Sequence, residues 1–469
     1  MLLKIVGGKM KKRLGLLALT AVLTSVAYGA SIDHIQTYTP EYLGNSAQNG
    51  MINNVSVYYN PAGIVNLEKG TYVHVGAQLA VGHEKMEYNG KDYKADLFQP
   101  IPNFAMYKVE DDSALYWTFG GIAGGGDLKY DDGVAGTAVI PDIVAGLPGG
   151  VLPIINESGV GTLGNLQDLG SSAEGKNLYA QTTLGKVWKI DNKLSVSAAG
   201  RLIYGIRELK GNINLSGEVN GNPDSWRGNA TIDSERTAFG YGLQLGLNYQ
   251  ASEKLNFALR YDSRVRLEFK ADANENPIKG LGLGFGSFYP EYADGAKSRR
   301  DLPAILAAGM SYKVTDNWTV GLSGNYYFNK DAKMDRGSKT ITLPILVNGE
   351  VTTTNVKSLE AKYDNGYEIA VGTEYRINPK WAVLGGINYA YTGAKVSSYD
   401  DVEFALDSIM VGTGVKYNPD ETTEWVFTVA HYFYDSESGH YDVKYQGAVP
   451  NPEYSKSITA FGVGYTKRF

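Results

Sequence analysis

The chain has 469 residues, 43% hydrophobic and 20% charged, with a formal net charge of −6. Its lack of Cys excludes a disulfide scaffold, a thiolate metal site and a Cys nucleophile, and a mildly acidic balance without a basic cluster argues against nucleic acid as a partner. Beyond the N-terminal leader no apolar run approaches the ~20 residues of a membrane-spanning helix, so a helical membrane protein is excluded too. In that leader, Lys11, Lys12 and Arg13 precede an apolar stretch from Leu14 to Ala27, and Ala27-Tyr28-Gly29 leads into Ala30. A basic start, a short apolar core and small residues at the cut predict a signal peptide over residues 1–29. Met10 is an alternative start that makes residues 1–9 an extension.

Residues 30–69 are not strand-like. They carry Leu43-Gly44-Asn45-Ser46-Ala47 and then Tyr58-Tyr59-Asn60-Pro61-Ala62-Gly63, where Asn-Pro is a good turn opener. From residue 70 one pattern repeats. Tyr241, Leu243, Leu245, Leu247 and Tyr249 interleave with Gly242, Gln244, Gly246 and Asn248, and Tyr367, Ile369 and Val371 interleave with Glu368, Ala370 and Gly372. Period two, with one apolar face and one small or polar face, fits a strand between two different solvents. The polar face includes Arg201, Arg207, Arg260, Arg264 and Glu374. A dry sandwich core rejects such charges, whereas a wet lumen behind a lipid-facing wall accepts them.

The alternation predicts fourteen strands, at 70–82, 101–109, 114–130, 176–190, 193–209, 237–250, 254–269, 302–313, 317–330, 365–377, 380–394, 403–417, 422–434 and 456–469. In the third strand Gly120, Gly121, Gly124, Gly125 and Gly126 predict a bulge or bend, because Gly in a strand interior packs nothing. Short turns, such as Glu110-Asp111-Asp112 and Asn378-Pro379-Lys380, alternate with longer stretches at 83–100, 131–175, 210–236, 270–301, 331–364 and 435–455; 395–402 is a short exception. Short periplasmic turns opposite long external loops are the mark of an outer-membrane barrel. Trp188, Trp318, Trp381 and Trp425 each sit beside a short turn, where an amphipathic indole belongs at the membrane interface. Two external stretches are unusually apolar. Residues 134–155 include Ile140, Ile143, Val144, Leu147, Val151 and Leu152, and residues 278–292 include Leu281, Leu283, Phe285 and Phe288. Exposed apolar patches mark interaction sites, so these ten residues are candidates for substrate capture. At the C-terminus Phe461, Val463, Tyr465 and Phe469 share a face, while Lys467 departs from the apolar pattern with an ammonium that can snorkel. Backbone inside lipid must be satisfied internally. The expected fold is therefore all-β: a single 14-stranded antiparallel transmembrane β-barrel over residues 70–469.

The residues 43–47 and 58–63 quoted above resemble the N-terminal plug of the long-chain fatty acid and hydrocarbon transporters of the outer membrane. Phe239-Gly240-Tyr241-Gly242, Ala258-Leu259-Arg260-Tyr261-Asp262, Leu302-Pro303-Ala304 and Asn365-Gly366-Tyr367 resemble that family's hairpins in the same order. The resemblance implies a small hatch over 30–69 with Asn60, Pro61, Ala62 and Gly63 as its motif, and passive uptake of a fatty acid, hydrocarbon or similar lipophile. It further implies a lateral exit at the glycine-rich kink, and a carboxylate met by basic residues near Arg207 and Lys333. Partners would be that ligand, outer-membrane lipid or detergent, and the machinery that recognises a terminal aromatic strand for insertion; no cofactor or metal is implied. The N- and C-termini would be periplasmic. One departure is clear: the long apolar loop follows the third strand here, whereas the family places it after the fifth. A general porin and a surface adhesin or antigen remain as other readings. A hydrolase has little support, since His34, His74, His83, His431 and His440 lack ligand spacing and no G-x-S-x-G occurs.

Overall fold

A computed structural model describes residues 31–469 apart from 157–158, 336–339, 348–349, 358–361, 400–402 and 445–448. The leader predicted at 1–29 lies outside the described residues. Fourteen antiparallel strands form the wall: β1 (Gly70–Tyr88), β2 (Lys91–Val109), β3 (Ser113–Tyr130), β4 (Ser172–Lys189), β5 (Leu194–Val219), β6 (Asn222–Gln250), β7 (Leu255–Asp262, resumed as Glu268–Asn276), β8 (Ile305–Thr315), β9 (Trp318–Tyr327), β10 (Gly366–Asn378), β11 (Trp381–Tyr391), β12 (Ser408–Asp420), β13 (Thr423–Tyr434) and β14 (Glu453–Arg468). Each pairs with its sequence neighbour, and β14 returns to β1 in register from Tyr72↔Arg468 to Glu87↔Glu453. The sheet thus closes on itself and leaves no edge.

Period two decides which side chains face outward. Tyr241, Leu243, Leu245, Leu247 and Tyr249 stand exposed on β6, as do Tyr367, Ile369, Val371 and Tyr375 on β10. Alternate residues point inward, among them the buried Gln244 and Asn248 of β6, Arg201 of β5 and Arg260 of β7. Such an inverted distribution, apolar outside and charged inside, is stable only with hydrocarbon around the wall. All four turn-side Trp are partly exposed at one end of the barrel. Lys467 is tied to that end, its Nζ donating to Thr422 Oγ1 at 2.6 Å and Thr423 Oγ1 at 2.8 Å.

Two expected loops are corrected. Residues 83–100 and 210–236 continue their strands instead of leaving them, in hairpins that turn at Asn89-Gly90 (φ 51° and 75°) and Asn220-Gly221 (φ 55° and 74°). Both turns use the Asn-Gly pair that left-handed two-residue hairpins select. β6 reaches 29 residues, far beyond the roughly 9–11 that cross a bilayer, so the upper half of this hairpin stands clear of the membrane. The other long connections hold short helices, Ala135–Ala138, Ile140–Ala145 and Phe285–Phe288, and the hairpins Val151–Asn156/Gly159–Asp168 and Thr340–Val347/Glu350–Lys357.

Candidate functional site

Residues 31–69 fold into short helical turns, Pro40–Gly44, Ser56–Tyr59 and Pro61–Asn66 among them, and are almost wholly buried against the inner faces of the strands. The wall makes room for them with glycine. A methyl group on Gly309 (β8) would strike Gly50, one on Gly321 (β9) Ala47, one on Gly372 (β10) Asn45, one on Gly412 (β12) the Leu43 carbonyl, and one on Gly462 (β14) Pro40. The small residues read as the inward face are therefore a moulded seat for the N-terminal segment.

Asn60 to Gly63 are fixed to this seat by polar contacts. The Asn60 side chain caps the following turn by accepting from Gly63 N–H at 3.2 Å, and its Nδ2 donates to Asn248 Oδ1 of β6 at 2.7 Å. Ser195 Oγ of β5 donates to the Ala62 carbonyl at 2.6 Å, and Arg260 Nη1 of β7 donates to the Tyr58 and Tyr59 carbonyls at 2.5 and 3.1 Å.

The start of the segment is held by ions. The Asp33 carboxylate accepts from Arg300 Nε at 2.8 and 2.7 Å, from Arg207 Nη1 at 2.8 Å, from Tyr179 OH at 2.7 Å and from Asn177 Nδ2 at 3.3 Å. Glu403 completes the cluster, receiving Arg207 Nη2 at 2.6 Å and Arg300 Nη2. Burial by itself raises the Asp33 carboxyl, but Arg300 and Arg207 outweigh it and hold the group well below the usual carboxylate range. Of the two basic residues singled out from the sequence, Arg207 is thus buried on protein carboxylates. Lys333 is exposed and pairs with Asp335 at 3.3 Å. Arg300, not Lys333, is the companion of Arg207. Asp33, Arg300 and Glu403 escaped sequence reasoning; the one available signal was the charge-dense Arg299-Arg300-Asp301 before Leu302-Pro303-Ala304.

The glycine-rich part of β3 meets the same segment. β3 pairs with β2 in regular register from Val109↔Ala114 to Asn103↔Gly120. On the other side its register with β4 slips twice, between Gly121 and Ala123 and between Ala123 and Gly126. Gly124 (φ 129°) and Gly126 (φ 83°) take backbone angles that other residues avoid. Inside the bend, Gln36 N–H donates to the Ile122 carbonyl at 2.9 Å. Gly120, Gly121 and Ile122 border a lumenal cavity shared with Gln36, Tyr58, Arg201 and Arg260, with about 50 Å³ of free space. That is less than the roughly 150 Å³ of an engineered cavity that takes benzene.

The apolar loop candidates come together at the opposite end. Val144, Leu152 and Phe285 are buried in one cluster with Leu209, Ile213 and Leu215 of β5 and Ile232 of β6, and Ile140, Leu147 and Leu281 pack against it. Ile143 and Leu283 pack, with Leu147, on Leu343. Val151 is half-buried beside Gly164, and the Phe288 side chain lies outside the described residues. The two loops cover each other and the β5–β6 extension, rather than standing open as a patch.

A family model described as outer membrane protein transport protein (OMPP1/FadL/TodX) matches residues 39–469. Among solved structures, a FadL homologue of Pseudomonas aeruginosa superposes with a TM-score of 0.66 at 13% identity, covering 94% of this chain and 100% of that one. The toluene transporter TodX of P. putida gives 0.61 at 14%, covering 93% and 99%, and the toluene transporter TbuX of Ralstonia pickettii gives 0.57 at 15%, covering 93% and 99%. No curated protein sequence matches.

Proposed function

This chain belongs to the OMPP1/FadL/TodX family of outer-membrane transport proteins, and from that premise we propose that it takes up lipophiles passively, long-chain fatty acids or similar molecules, and releases them sideways into the membrane. The family is one of transport proteins rather than enzymes. A lipophile gains ~0.8 kcal/mol per buried CH₂, so a fifteen-methylene tail loses roughly 12 kcal/mol on entering water. An aqueous pore leaves that penalty in place; a relay of apolar surfaces removes it. Capture falls to the loop cluster, where parting of the two loops frees Ile140, Ile143, Val144, Leu147, Val151, Leu152, Leu281, Leu283, Phe285 and, with them, Phe288. Residues 30–69 act as the hatch, held by Asn60, Pro61, Ala62 and Gly63. Arg207 is the inner contact for a head group, and Lys333 a rim contact. The short-turn end, where both chain ends of the barrel meet, faces the periplasm, and β14 with Phe469 addresses the insertion machinery.

The observation that carries the reading is the bend in β3 at Gly120, Gly121, Gly124, Gly125 and Gly126, where the register with β4 slips twice. Its test is a bulky side chain placed in the bend. Gly124 cannot accept one, because its added Cβ overlaps the Asn177 carbonyl, whereas at Gly125 the nearest atom, Asn177 Cβ, is 3.8 Å away. Gly125→Phe in a correctly inserted barrel is expected to reduce uptake of a labelled lipophile by cells at least about tenfold, a barrier rise of only ~1.4 kcal/mol, while Gly125→Ala leaves it unchanged. Parental uptake by Gly125→Phe would place the exit elsewhere.

A further inference from the structure

Asp33 occupies a site built for a carboxylate. Two guanidiniums, a phenol and an amide converge on it, and all four side chains are buried. Nothing about holding a loop in place requires so complete a set. The residue reaches the site in an unfavourable backbone state, for Asp33 (φ 54°) and His34 (φ 49°) are successive left-handed residues, neither of them glycine. Beside the cluster lies a small cavity lined by Arg207, Asn177, Glu403, His34 and the kink residues Gly125 and Gly126. Arg207 Nε and Asn177 Oδ1 are buried without a hydrogen-bond partner, so the donors around Asp33 are not fully satisfied by it.

We infer that Asp33 is a tethered stand-in for the solute's own carboxylate, and that a fatty-acid-like amphiphile opens the hatch by displacing it from Arg207 and Arg300. The exchange swaps one carboxylate for another on the same donors, so no buried guanidinium is left unpaired at any stage. Release of Asp33 relieves two strained residues and frees the stretch that ends at Gln36, whose N–H is bonded to Ile122 inside the β3 bend. Withdrawal of that stretch enlarges the space behind the bend. A neutral alcohol with the same tail lacks the charge needed for exchange and leaves the latch closed. The inference rests on the uptake route proposed above and adds to it the class of molecule that operates the hatch.

The chain has no Cys, so Ile35→Cys, at a position that is 4% exposed, provides a single thiol next to the latch. With the full-length protein in a non-ionic detergent, hexadecanoate is expected to raise the rate of thiol labelling at residue 35 about tenfold, and hexadecanol is expected not to. In the Asp33→Asn background the thiol should label rapidly without either compound, and in the Arg300→Gln background hexadecanoate should lose its effect. Equal responses to acid and alcohol, or no response to either, would overturn the exchange. The first arm needs no change at Asp33, so a folding defect in that variant cannot mask the answer. Uptake of labelled hexadecanoate by cells separates the two readings. Uptake without a labelling response refutes only the latch; a labelling response without uptake refutes the transport route.

Discussion

Glu41 illustrates what single residues of the hatch have to tolerate. It is 1% exposed, and both its carboxylate oxygens lack a hydrogen-bond partner, with His74 of β1, Lys416 of β12 and Glu424 of β13 facing it. Burial pushes this carboxyl above its ordinary value; with the hatch out of the lumen the ordinary value returns. Seating therefore binds a proton. It is favoured below the ordinary carboxylate range, and that advantage is lost as pH rises through the raised value. Leakage of a small hydrophilic solute through the barrel in liposomes is accordingly expected to be greater at about pH 8 than at about pH 5. Glu41→Gln, neutral throughout, should leak little at both; an unchanged pH response in that variant would assign it to another group. At this scale the sequence was legible where chemistry is local. Asn60 does form the turn its Asn-Pro pair suggests. It was silent on Asp33, because Arg207, Arg300 and Glu403 lie 174, 267 and 196 residues from one cluster member or another.

Among elements, the strands were read by the same rule that failed on their upper ends. Where one face meets lipid and the other the lumen, alternation is plain, as along Tyr241–Tyr249. Above the membrane both faces of the β5–β6 hairpin meet water or loops, the contrast fades, and residues 210–236 look like a polar connection. The Asn220-Gly221 turn was the clue left unused there. The bend in β3 was legible because five glycines in seven residues have few other uses; its two register slips against β4 depend on partners that no local pattern names. The glycine seat yields a prediction of its own. Gly412→Val sets a branched side chain against the Leu43 carbonyl, on a wall strand paired on both sides. Overpacking of this kind costs about 1–3 kcal/mol, and the mobile partner gives way first. The variant should insert and show the heat-modifiable mobility of a folded barrel while its liposome leak rises severalfold; a tight barrel would mean that the hatch has another way to fit.

For the molecule as a whole, orientation remains the simplest property to test. Tags at Ser225 and Ile345, in the far hairpins, should be reached by antibody on intact cells, and tags at Asn192 and Pro379, in the short turns, should not; surface labelling at Asn192 would reverse the assignment. Closure of the barrel has a consequence for how the chain is assembled. The strands that seal it, β1 and β14, join Tyr72 to Arg468 and are separated by nearly the whole chain, so the seam is a slow contact to find. The hatch hangs from the first residue of β1, on one lip of that seam. While the lips are apart it can be laid into an open trough lined by the glycine seat. Hatch and barrel are thus expected to form together, with the N-terminal segment as the mandrel on which the last strand is folded home.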